Sequence, residues 1–227
     1  MRSKQSGFTL VEIAIVLVII GLLLGGVLKG QELINSAKVK NMVTDFRNLP
    51  LFIYGYQDKF KRLPGDDPAA VTNTGSVKAG NGDGRLDGSW TDGQAAPLAV
   101  GAATETYMFW EHVRRGNFAA GGTDISVATY LPTNSDGGFI GIESASQPTL
   151  TPYLTNLSGT YLACSKGILG KFAKLIDVQM DDGNGSTGSV RIVDNTGWAR
   201  NTSPGNNNVT TPASVDDSTQ YTVCMAF

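Results

Sequence analysis

The first 28 residues, MRSKQSGFTLVEIAIVLVIIGLLLGGVL, decide the architecture of the whole chain. A short basic segment, residues 1–7, precedes an apolar run at 8–28 that is interrupted by Thr9 and Glu12. A helix rises about 1.5 Å per residue, so a run of this length spans about 30 Å, the thickness of the hydrocarbon core of a bilayer. Basic residues before a span keep that end in the cytoplasm. We therefore predict one membrane-spanning helix, with the rest of the chain on the outer side.

Two ordinary kinds of N-terminal segment explain this run less well. A secretory signal peptide has an apolar core of about 7–15 residues followed by a cleavage site between small residues, and the run at 8–28 fits neither feature well. A plain signal anchor explains everything except Glu12, because a carboxylate inside a membrane helix costs about 2.5–3.5 kcal/mol. A positive partner, supplied by another chain or by a newly formed amine, would offset this cost.

The segment Gly7–Glu12, GFTLVE, resembles the N-terminus of type IV prepilins and pseudopilins, since a basic leader precedes it and a long apolar run follows it. In that family a membrane peptidase cuts after the glycine on the cytoplasmic side and methylates the new N-terminal residue. The resemblance implies cleavage between Gly7 and Phe8, N-methylation of Phe8, and pairing of Glu12 with the N-terminal amine of a neighbouring subunit. It also implies as partners copies of the same chain, other pilin-like subunits, the prepilin peptidase and an inner-membrane assembly platform.

Beyond the apolar run the helical pattern continues, but with apolar residues on one face and charged residues on the others. Pro50 is predicted to kink or break this helix, and Leu63-Pro64-Gly65 to end it. The apolar stripe comprises Val39, Met42, Val43, Phe46, Leu49, Ile53, Tyr56, Phe60 and Leu63. The predicted division is a leader at 1–7, a membrane and filament-core helix at 8–35, an amphipathic helix of the head at 36–63 and a globular head at 64–227.

The remaining residues predict a head of mixed α and β structure. Residues 105–115 indicate a short amphipathic helix, residues 172–180 fit either a helix or a strand, and strands are expected at 138–142, 161–164, 189–193 and 220–224. The segments LPGDDP (63–68), FWEH (109–112) and DDG (181–183) also resemble a subgroup of pilin-like proteins, in which a short helix follows the long one and an antiparallel sheet closes the head. We therefore expect a pilin-like α+β fold, with a long N-terminal helix packed on a C-terminal head that contains an antiparallel β-sheet.

The two cysteines, Cys164 and Cys224, lie beyond the predicted span, in what is an oxidising compartment in most bacteria. A disulfide between them would close a loop of roughly 60 residues and stabilise the head by roughly 4 kcal/mol in the chain-entropy model. Pilin-like proteins often clasp their C-terminal region in this way. Two buried free thiols are the alternative.

Metal binding is the question of site chemistry that the sequence leaves open. Residues 81, 83 and 87 alternate with glycines like the start of an EF-hand loop, but Arg85 occupies a ligand position and no glutamate closes the loop. A true EF-hand is therefore excluded, whereas an irregular loop could still hold calcium. The candidate ligands are Asn81, Asp83 and Asp87, with help from Asp66 and Asp67 or from Asp92.

A second acidic turn, Asp181-Asp182-Gly183-Asn184-Gly185, could bind calcium by itself. Asp, Asn and Gly also favour turns for purely local reasons, and this turn chemistry alone explains both segments. We therefore expect that no cofactor is required, with calcium as a possibility.

Composition argues against several other classes of protein. The net charge of −2 provides no electrostatic footprint for nucleic acid. The single histidine, His112, rules out a multi-histidine metal site and most histidine-based catalysis. It lies among aromatic residues on the predicted helix, where packing or capping is its expected role. We expect no enzymatic activity and no catalytic residues.

Together these features predict a structural subunit of a type IV pilus-like filament, processed by prepilin peptidase and polymerised through its N-terminal helix. The precursor is expected in the inner membrane as a single-pass protein with its N-terminus in the cytoplasm. After assembly it would lie in an extracellular filament or a periplasmic pseudopilus. A type II secretion pseudopilin stays open as an alternative, as does a membrane-anchored calcium- or glycan-binding surface protein that does not polymerise.

Overall fold

The computed structural model describes residues 9–145, 154, 157–195 and 214–227. The predicted leader, the cleavage site between Gly7 and Phe8, and the methylation site at Phe8 lie outside these residues. The chain divides into two compact units, the first ending at Lys38 and the second running from Val39 to the C-terminus. The boundary between the units falls inside the first helix.

Helix α1, Leu10–Phe60, continues through Pro50, so the predicted break does not occur. Proline removes one backbone hydrogen bond and crowds the preceding turn. The residues around it, Leu49 and Ile53, are at most 1% exposed, and their burial favours an uninterrupted helix. Within the second unit the predicted apolar stripe is the buried face of α1 from Val39 to Tyr56, whereas Phe60 is half-buried. Leu63, just beyond the helix, is buried as well.

The sheet has four antiparallel strands in the order β1-β2-β4-β3. The strands are β1 (Ile140–Ser144), β2 (Tyr161–Leu169), β3 (Val190–Asp194) and β4 (Gln220–Ala226). The helices after α1 are α2 (Ala70–Thr74), α3 (Glu105–Arg115) and α4 (Gly170–Met180), with a short 3₁₀ turn at Val100–Ala102. Each predicted strand is therefore present with shifted ends, and the ambiguous segment at 172–180 is helical.

Side chains alternate along each strand, so apolar residues of the sheet lie on both of its faces. Each face is covered by its own hydrophobic cluster. One face joins α1, α3 and α4 in the main hydrophobic core, to which Ala163, Ile192 and Val223 contribute. The opposite face carries a smaller cluster that includes Trp90 and Cys164. The main hydrophobic core and the smaller cluster therefore lie on opposite faces of the central strands β2 and β4.

Candidate functional site

Helix α1 begins with a capping box formed by Thr9 and Glu12. The backbone N–H and the hydroxyl of Thr9 both donate to Glu12 Oε2 at 2.8 Å, and the backbone N–H of Glu12 donates to Thr9 Oγ1 at 3.3 Å. Such reciprocal bonds satisfy N–H groups that the first turn of a helix leaves without partners. The Thr-x-x-Glu spacing is visible in the sequence, but sequence reasoning gave Glu12 a role between subunits alone. The structure adds a role within its own chain.

The helix that follows is long and apolar enough to cross a membrane. Its large side chains are exposed in the isolated chain, as Leu10 (91%) and Leu22 (73%) illustrate. A continuous apolar surface of this size has to be covered by lipid or by other helices.

Comparison with protein families matches residues 2–28 to the prokaryotic N-terminal methylation motif. The N-terminus is of the prepilin type. This match supports a protein of the type IV pilin or pseudopilin class, and together with the apolar helix it fits a membrane-anchored precursor. The long helix and the antiparallel sheet are consistent with the pilin-like α+β fold. Comparisons with curated proteins and with solved structures found no significant match.

The head of this prepilin-type chain contains the predicted disulfide, with Cys164 Sγ and Cys224 Sγ 2.06 Å apart. The two residues lie directly opposite each other on β2 and β4. Both are fully buried, in the smaller cluster beside Trp90 and Val193. The bridge therefore fastens the C-terminal strand to the centre of the sheet.

The loop at 81–87 is held by the buried carboxylate of Asp66. Asp66 Oδ1 accepts the backbone N–H groups of Gly82 (2.5 Å) and Asp83 (3.1 Å), and Oδ2 accepts that of Gly84 (2.7 Å). Burial raises the pKa of Asp66, although these three hydrogen bonds act in the opposite direction. The predicted residues Asp66 and Asp83 are thus brought together, and the loop's own N–H groups already occupy the Asp66 carboxylate.

Glu105 also holds this loop, although the sequence did not identify it as a candidate residue. It starts helix α3, and its two carboxylate oxygens accept the backbone N–H groups of Asn81 (2.8 Å) and Asp87 (3.0 Å). One oxygen each from Glu105, Asp66 and Asp83 lie within 4.8 Å of one another. Burial raises the pKa of Glu105 to about 7. Calcium binding at this loop stays a prediction.

The side chain of Asp67, another predicted ligand, is committed elsewhere. Its Oδ2 accepts the Tyr56 hydroxyl and the Asn73 amide, each at 2.9 Å, and its Oδ1 accepts the backbone N–H of Ala69 at 2.8 Å. Asp67 therefore ties α1 to α2. Asp92 is committed too, since its Oδ2 accepts a backbone N–H and a threonine hydroxyl at 2.8 Å.

His112 serves as a buried connector between α3 and two loops. Its Nδ1 accepts the backbone N–H of Gly65 at 2.8 Å, so Nε2 carries the proton and donates to the Lys78 carbonyl at 2.9 Å. Burial lowers the pKa of His112, which favours this neutral form. Both ring nitrogens are therefore engaged in holding the fold.

Proposed function

We propose that this protein is a structural subunit of a type IV pilus-like filament, cut by prepilin peptidase and polymerised through helix α1. The observation that carries the proposal is the methylation motif at residues 2–28, which combines a basic leader, the cleavage sequence and Glu12 ahead of an apolar helix. The exposed apolar face of that helix supports packing against other subunits once the chain has left the membrane. A pseudopilus of a secretion system would use the same N-terminal chemistry.

In this proposal the negatively charged carboxylate of Glu12 pairs with the N-terminal amine of a neighbouring subunit. The capping box offers a competing explanation, because it employs the same carboxylate within the chain. Glu12→Gln separates the two roles: glutamine also completes a capping box but carries no charge. The filament proposal predicts that Glu12→Gln enters the membrane normally and nevertheless fails to assemble.

The test expresses each variant in a host with active prepilin peptidase and assembly machinery, and compares sheared filaments with the membrane fraction by immunoblot. Glu32→Gln is the matched control, because Glu32 lies on the same helix in an exposed ion pair with Lys29 at 2.8 Å. We expect wild-type filament yield from Glu32→Gln and almost none from Glu12→Gln. Wild-type filament yields from both variants would show that Glu12 does no more than cap its helix. Absence of the wild-type chain from the sheared filaments would favour an anchored surface protein.

Processing is tested by the intact mass of the protein in each fraction. Filament protein should lack residues 1–7, carry one added methyl group on Phe8, and lack two hydrogens because of the Cys164–Cys224 bridge. Processed protein confined to the membrane would favour a minor subunit or a short pseudopilus. An unprocessed chain in that host would overturn the proposal.

A further inference from the structure

Asp177, in the last turn of helix α4, is a buried carboxylate whose oxygens have no hydrogen-bond partner among the described residues. Asp177 is 0% exposed, and neither of its carboxylate oxygens accepts a hydrogen bond from any residue that the structure describes. A buried charge in this position is strongly unfavourable unless a proton or a cation neutralises it. The other buried carboxylates discussed above all accept hydrogen bonds, so Asp177 needs its own explanation.

Two further carboxylates converge on this group. Asp181 and Asp182 follow the end of α4, and one oxygen each from Asp177, Asp181 and Asp182 lie within 4.8 Å of one another. The last turn of α4 contains no basic side chain. The C-terminus of a helix carries partial negative charge, so three acidic groups gather at the end of the helix that repels them.

No ion pair joins Asp177, Asp181 or Asp182 to a residue that the structure describes. Arg191 on β3 donates through Nη1 to the backbone carbonyls of Gly188 and Val190.

The loop after α4 is built around the same carboxylates. Asp181 Oδ2 accepts the backbone N–H of Val190 at 2.8 Å, and Asp182 Oδ1 accepts that of Asn184 at 2.8 Å. Gly188 has φ +73°, and a Cβ there would lie 1.8 Å from Asp181 Oδ2. A side chain at this position would therefore displace the carboxylate, and glycine allows the loop to close around it.

We propose that Asp177, Asp181 and Asp182 bind one Ca²⁺ ion at the C-terminal end of α4. The donors are all carboxylate oxygens, which suit a hard cation rather than a transition metal. Ca²⁺ takes six to eight oxygen ligands in flexible arrangements, so an irregular loop with its carbonyl groups and water can complete its coordination. The cation supplies the positive charge that Asp177 lacks. This inference does not rest on the filament proposal.

The test is calorimetric titration of CaCl₂ into the full-length chain in detergent micelles, after removal of metal by a chelator and at constant ionic strength. We expect one ion per chain with a dissociation constant of about 10⁻⁴–10⁻³ M, the range of extracellular calcium modules. Asp177→Asn removes the buried charge with little change of shape and should weaken binding by at least about tenfold, since calcium affinity depends on the number of charged ligands. Asp124→Asn, which changes an exposed carboxylate outside both acidic loops, is the matched control and should bind like the wild type. Asp83→Asn reports on the other acidic loop.

Circular dichroism establishes that each variant is folded before titration. Should Asp177→Asn fail to fold, Asp182→Asn provides the same test, because Asp182 is exposed and its change disturbs no buried group. The proposal is overturned if the wild type binds no Ca²⁺, or if the folded variants at α4 bind as well as the wild type. Loss of binding in Asp83→Asn alone would place the ion in the other loop and would overturn it too.

Discussion

Removal of the bridge between Cys164 and Cys224, by changing both residues to alanine, should lower the free energy of unfolding by about 5 kcal/mol. The two cysteines are 60 residues apart in the sequence. In the chain-entropy model a closed loop of about that length loses about 14 cal/mol/K, which is about 4 kcal/mol at 25 °C. Both sulfur atoms are fully buried, and truncating them leaves space worth about 1 kcal/mol more.

The loss is large compared with the total stability of an ordinary domain, about 5–15 kcal/mol. Urea unfolding of the full-length chain in detergent measures it, with tryptophan fluorescence as the signal because Trp90 packs in the same cluster as the bridge. Wild-type protein that is reduced under denaturing conditions and then refolded provides a second measurement without any substitution. Untreated wild type is the control.

Both bridge-free forms should unfold at clearly lower urea concentrations than the control. A decrease of less than about 1 kcal/mol in the free energy of unfolding of both forms would refute this prediction, since the chain-entropy model gives a larger entropy of loop closure for a loop of this length. A decrease in the alanine variant alone would assign the effect to packing of the sulfur atoms.

Three further predictions concern His112, Asp45 and Gly141. The ring of His112 should still show the chemical shifts of a neutral imidazole at its ordinary pKa of about 6.5, because burial lowers its pKa, and stability should fall as pH falls below that value. NMR can follow this one histidine without assignment, and an inflection near pH 6.5 would refute the prediction. Asp45→Asn should raise the free energy of unfolding by about 1–2 kcal/mol at pH 7 but not near pH 4. Burial raises the pKa of Asp45 to about 6, so the stability of the wild type falls as pH rises from 4 to 6. Equal increases in the free energy of unfolding at both pH values, measured in urea, would contradict this prediction. Gly141→Ala should lower the free energy of unfolding by about 1–3 kcal/mol, since the new Cβ would lie 2.1 Å from the Trp90 carbonyl oxygen. In the same assay Gly122→Ala should leave stability nearly unchanged, because its Cβ would meet no atom within 4 Å. Similar losses of stability in both variants would point to a general effect of removing glycine.

Elements with one clear periodicity could be predicted from sequence. The apolar spacing in α1 identifies its buried face, and helix α3 has the predicted bounds of Glu105 and Arg115. The segment at 172–180 could not be assigned, because its pattern fits both a helix and a strand. Packing decides in favour of the helix, since Phe172, Ala173 and Ile176 lie at helical spacing and all face the core.

The acidic groups show where sequence reasoning reaches its limit. The sequence predicts that Asp66 helps the loop containing Asp83 to bind calcium, and the fold brings these two carboxylates together. Glu105 joins them from helix α3, while Asp67 instead contacts α1 and α2. Carboxylates distant in sequence have no local pattern that records their proximity, so these assignments required the folded chain.

The sequence by itself determined the prepilin-type N-terminus, because its leader charge, cleavage sequence, Glu12 and apolar length are all properties of neighbouring residues. It also indicated the disulfide, since the chain has two cysteines in a head that is predicted to lie outside the cytoplasm. Tertiary structure alone decided which carboxylates lose contact with water. Asp177 is buried because α4 packs against β3 and β4. Desolvation depends on what lies around a group in space, and the strands that cover this one are contributed by later parts of the chain.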